Sequence, residues 1–111
     1  MAGITMDTES IKLLLQLRKV SPQFVYNILA LKASQPDPVS ATSSTGKEVL
    51  KRISEMGITP NLSTLYRWFY KAGVEFSAST IYDAPTVALV LLQAQIYLMK
   101  QKRIKYERSR T

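Results

Sequence analysis

"GITPNLSTLYRWFYKAG", residues 57–73, opens with a glycine and a proline, closes with a glycine, and sets aromatics and bases between them. A glycine just past a helix is the expected place for a left-handed turn, and Thr59 followed by Pro60 predicts the cap and first residue of the next helix. At 100° per residue, Leu62, Leu65, Phe69 and Ala72 then gather on one side, with Tyr66 at the border. The other side carries Ser63, Thr64, Arg67, Tyr70 and Lys71 and no acid. Hydroxyls and cations on an acid-free helix face suit phosphates and base edges. Trp68 lies beside that face, where packing is a better reading than stacking on a base.

The surrounding chain carries the same charge bias. Its net charge is +7, and residues 46–111 hold eleven Lys and Arg against five acids, whereas residues 1–45 hold four against three. A concentrated positive field favours anionic partners, nucleic acid or an anionic membrane surface. Hydrophobic residues make up 46% and charged residues 21%, a globular composition. With no cysteine and no histidine, disulfides, thiolate metal sites, the commonest metal ligand and the commonest general base are all missing. The carboxylates Glu48, Glu55, Glu75 and Asp83 fall on separate elements with no paired spacing, so no enzyme, no metal and no cofactor are expected. Residues 1–10 carry two acids and no base, unlike a secretory leader, which makes a cytoplasmic protein the expectation.

Upstream, Asp7 or Thr8 caps a first helix over residues 7–20 whose Ile11, Leu14 and Leu15 share a face. Ser21 and Pro22 stop it and start a second helix, to about Ala33. Residues 34–46, "SQPDPVSATSSTG", have two prolines and no apolar period, and read as a loop. The "TGKE" at its end lacks the upstream glycine and the following Ser or Thr of a phosphate loop: Ala41 and Glu48 stand there, so an ordinary helix start is the better reading. From Lys47, the spacing Val49, Leu50, Ile53, Met56 marks a short amphipathic helix with Lys47 and Lys51 outward, ended by Gly57.

A helix, a glycine turn and then "STLYRW" resembles the recognition helix of helix-turn-helix proteins, in particular MerR-like and transposase-type domains. The resemblance spans residues 47–73, with residues 21–33 as the first helix of the trihelical unit. It implies that Thr64 and Arg67 approach base edges while Ser63, Tyr70 and Lys71 meet phosphates. This chain has Asn61 and Leu62 between the proline and the Ser-Thr pair, two residues more than the pattern. Beyond it, Val74, Phe76 and Ala78 alternate roughly, as in a short strand or wing.

The last helix, capped by Asp83, is apolar on two faces: Val87, Val90, Leu91, Ala94, Tyr97 and Leu98 on one; Leu89, Leu92, Ile96 and Met99 on the other. One core covers one face. The Leu89 face is therefore expected to meet a second copy of the chain as a short coiled-coil seam, giving a homodimer; the alternative is that the helix of residues 11–20 covers it in a monomer. Ala84–Met99 is too short for a membrane span, which needs roughly twenty apolar residues. Lys102, Arg103 and Lys105 form a basic tail suited to phosphates or to anionic lipid.

Together these predict an all-α domain: a trihelical helix-turn-helix core over 21–73 containing a 34–46 loop, an extra N-terminal helix, and a C-terminal dimerisation helix with its tail over 84–108. The expected function is sequence-preferring binding of double-stranded DNA by a small transcriptional regulator or DNA-organising factor, with Lys47 and Lys51 adding phosphate contacts. The rivals are a helical protein-docking module using the two-faced last helix, a single-strand binder stacking bases on Tyr66, Trp68 and Tyr70, and a core helix whose basic face is merely solvated.

Overall fold

The computed structural model describes residues 3–109, with side chains described through residue 102. In chain order the elements are β1 (Gly3–Met6), α1 (Thr8–Arg18), α2 (Pro22–Ser34), β2 (Val39–Thr42), β3 (Ser44–Thr45), α3 (Gly46–Glu55), α4 (Leu62–Lys71), β4 (Ile81–Tyr82) and α5 (Ala84–Ser109). The all-α expectation is thus corrected: among the described residues five helices are joined by two antiparallel two-stranded sheets, β1 with β2 and β3 with β4.

The helix ends follow local chemistry. Asp7 accepts from the Ser10 amide at 2.8 Å and Ser21 from the Phe24 amide at 3.3 Å, each satisfying a donor that a helix start leaves free. Thr45 and Glu48 form a reciprocal capping box at α3. Gly57 and Gly73 follow α3 and α4 with φ of 85° and 91°, the left-handed turns expected of glycine there. One cap differs from the sequence reading. Asn61, not Thr59, accepts from the Thr64 amide at 2.9 Å, so α4 starts at Leu62 and Pro60 lies outside it. Asparagine serves as well as threonine at this position, and the later start leaves Leu62 64% exposed while Trp68 enters the core.

The 34–46 loop proves to contain strands. In β2, Val39 and Ala41 point inward and Ser40 and Thr42 outward, and Val39 pairs with Met6 while Thr42 pairs with Gly3. Four alternating residues after Pro38 are too short a signal to stand alone; an isolated pair of such strands is marginal in water. What holds them is α5, on which both β1 and β2 pack. The expected strand over Val74–Ala78 is instead an irregular segment, with the pairing displaced to β4. The buried Tyr82 fixes it, accepting from the Ser77 amide at 2.8 Å and donating to the Glu75 carbonyl.

α5 runs through the middle of the molecule, with α2, α3, α4 and the β1–β2 sheet packed around it. This corrects two expectations. Helices α2, α3 and α4 pack chiefly on α5 rather than closing a self-contained trihelical core. And the face assigned to a dimer seam is interior: Leu89, Leu92 and Ile96 are 0%, 0% and 1% exposed within a single chain, and Met99 is half-buried. A helix that is hydrophobic all round is satisfied when neighbours surround it, whichever chain they come from. Here the cover is the small sheet and three helices. α1, proposed as the cover in the monomeric alternative, packs mainly on α2 and β1. The reason for expecting a second copy on this face is removed.

Candidate functional site

α4 presents its outward face much as its periodicity predicts. Leu65, Trp68, Phe69 and Ala72 are buried; Ser63, Arg67 and Tyr70 are exposed; Lys71 is half-buried. The Phe69 ring meets Phe76 at 5.0 Å and Tyr82 at 5.1 Å, which seats the helix against the segment that follows it. α3 and α4 are also tied at their outer ends, because β3 directly precedes α3 and pairs with β4 beyond α4.

Against the second half of α4 lies the turn between α1 and α2. Between them is a cleft of about 720 Å³, lined on one side by Arg67, Tyr70 and Lys71 and on the other by Arg18, Lys19 and Ser21. Glu75 is the carboxylate on this lining. Arg18 is held at 3.4 Å by both carboxylate oxygens of Asp83, which anchors the end of α1 to the start of α5. Lys71 has its pKa lowered, first by burial and then by repulsion from Arg67 and from Lys100 of α5. Three cations held close enough to oppose one another's charge make a place where an anion is favoured.

Not all the sequence-predicted residues reach this cleft. Arg67, Tyr70 and Lys71 do. Ser63 donates its hydroxyl to Asn61 at 2.9 Å and Thr64 is half-buried at the start of α4, so neither lines it. Lys47 and Lys51 are exposed on α3 around Leu50, and Lys102 lies on a different groove beside Gln35 and Met56. The side chains of Arg103 and Lys105 lie outside those described. Conversely, Arg18, Lys19 and Lys100 were missed. Their signal was weak, since the near balance of charge over residues 1–45 drew attention from that segment.

The amides at the start of α3 are also occupied. Gly46 and Lys47 donate to the carbonyls of Thr80 and Ala78, each at 3.1 Å, so the "TGKE" backbone is engaged by the chain itself.

Three acids that cap helices have depressed pKa values through hydrogen bonds: Asp7 from Ser10, Glu48 from Thr45, and Asp83 from Thr86 with help from Arg18. For an acid whose folded pKa is depressed, the stabilisation is complete above the unfolded value and is lost as pH falls through the folded one. Thermal stability is therefore expected to hold at neutral pH and to decline below about pH 4, near the ordinary carboxylate values. Asp83→Asn is expected to be less stable than wild type at pH 6, by about 0.5 kcal/mol after allowing for solvent screening of an exposed pair, and to lose less on acidification. Melting followed by circular dichroism at pH 6 and pH 3 checks this; an acid response equal to that of wild type would exclude Asp83 from the effect.

Comparison with protein families, curated proteins and solved structures yields no match for this chain. Among the described residues no helix is long and apolar enough to cross a membrane.

Proposed function

We propose that this protein binds duplex DNA through the outward face of α4, with the flanking phosphate backbone passing along the cleft beside it. The observation that carries the reading is the meeting of Arg67 and Lys71 with Lys19 and Arg18 from a distant part of the chain around one cleft. An α-helix fits the major groove, where an exposed arginine reaches guanine in bidentate fashion, and lysines release counterions from phosphates. The helix-turn-helix resemblance of residues 47–73 supports the same use of α4, a regulatory or DNA-organising role following from sequence preference.

Fluorescence anisotropy of a labelled random duplex across a salt series tests it. Replacing both Arg67 and Lys71 by alanine is expected to weaken binding about tenfold or more at low salt and to flatten the salt slope by about two units, one for each lost phosphate contact. If a selected site is available, Arg67→Ala is expected to narrow the gap between that site and random DNA. Stability should move the other way. Arg67 and Lys71 are like charges four residues apart on a helix, so Lys71→Met is expected to stabilise the fold by about 0.2–0.5 kcal/mol while weakening binding. Absence of any duplex binding at low salt would end the proposal.

The protein-docking rival loses the surface it was built on, because the apolar faces of α5 are interior over Val87–Leu92. It would have to use Leu13, Leu17 and Tyr26, which are 61%, 80% and 69% exposed on α1 and α2. Retention of a protein partner at high salt without duplex binding at low salt would favour it.

A further inference from the structure

We infer that the cleft is a site for a phosphate group, gripped from α4 by Arg67 and Lys71 and from the opposite lip by Lys19. The duplex is taken as the source of that phosphate on the reading above, but a separate observation identifies Lys19. Its backbone lies at φ 52°, ψ 44°, and among the described residues it is the non-glycine residue with positive φ. It closes α1 at a position where glycine is strongly preferred, because an L-residue's Cβ is crowded in that conformation. Its side chain is exposed, and no hydrogen bond or salt bridge of that side chain is found among the described residues. Packing thus gives no reason for a lysine at a strained position, and residues held so are characteristic of functional sites.

The left-handed turn has a geometric consequence. It reverses the chain at Val20 so that Ser21 caps α2, and it leaves the Lys19 side of the turn on the lip facing α4. The Arg18–Asp83 pair anchors that lip to α5, making Arg18 a positioning residue rather than a free contact. A phosphate carries oxygens in several directions and is well matched by cations from two walls. It would also offset the repulsion among Arg67, Lys71 and Lys100. Glu75, exposed at the rim, opposes anions and keeps the site from being indiscriminately positive.

The test uses the full chain as wild type, Lys19→Gly and Lys19→Arg. Each is titrated with inorganic pyrophosphate, followed by amide chemical shifts, and with a random duplex of about two DNA turns across a salt series. Lys19→Gly is expected to raise the melting temperature by a few degrees, yet to weaken pyrophosphate about three- to tenfold and lower the duplex salt slope by about one. Lys19→Arg is expected to keep both. Wild-type behaviour of Lys19→Gly toward both probes would overturn the inference. Duplex binding that ignores Lys19, with no pyrophosphate shifts in the cleft, sinks this site and leaves the α4 reading standing. Pyrophosphate shifts at Lys19, Arg67 and Lys71 without duplex binding support the site, sink the duplex reading, and assign the phosphate to a free phosphorylated molecule. Failure of both probes removes both.

Discussion

Leu92→Ala is expected to destabilise the protein by about 2–5 kcal/mol, the range for truncating a buried leucine whose site collapses only partly. Leu92 is fully buried in α5, the helix on which α2, α3, α4 and the β1–β2 sheet all pack, so a cavity there is shared by several elements. Small domains are stable by only about 5–15 kcal/mol, and the loss should lower the melting temperature by ten degrees or more. The melting temperature should not depend on protein concentration, because one chain alone supplies the cover. A loss under about 1 kcal/mol, or melting that shifts with concentration, would instead place this leucine at a surface shared between copies.

Gly46→Ala should be nearly as damaging, for a reason of space rather than backbone freedom. A Cβ at Gly46 would stand 2.1 Å from the Ser77 carbonyl oxygen and 3.2 Å from the Phe76 ring. The obstacle is backbone, which cannot rotate away as a side chain would. The 76–80 segment must lift, breaking the bonds from Gly46 and Lys47 to Thr80 and Ala78 and loosening Phe76 from Phe69 and Tyr66. A loss of about 3 kcal/mol is expected, the upper end for overpacking a closed site. Hydrogen exchange should show the first turn of α3 and residues 74–82 opening before α2 does. Uniform loss of protection across the chain would contradict so local a cause.

The two substitutions differ in how readily their sites are seen in the sequence. The apolar pattern of α5 makes Leu92 a buried position from spacing alone, yet that pattern was assigned to the wrong neighbour. Periodicity records that a face is covered and carries no information on what covers it. Gly46 reads as an ordinary helix start, because the Ser77 carbonyl that excludes a side chain arrives from thirty residues away.

The candidate site divides in the same manner. Arg67, Tyr70 and Lys71 were legible because residues three and four apart on one helix share a face whatever the fold. Lys19 and Arg18 were not, since they meet α4 only through the packing of α1, α2 and α5. Ser63 and Thr64 share the helix but sit a turn or more from the cleft, and Asn61 engages both of them.

The amino-acid order by itself settled the helices and most of their ends: Asp7, Ser21, Thr45 and Asp83 as caps, Gly57 and Gly73 as turns, and an acid-free strip along α4. These are interactions among residues within about four positions, where the chain's own geometry brings the partners together. The tertiary structure alone decided the two small sheets, the enclosure of α5 within one chain, and the second wall of the cleft. Each depends on groups far apart in sequence whose meeting is driven by burial, and burial is non-directional, so a local pattern cannot name its partner.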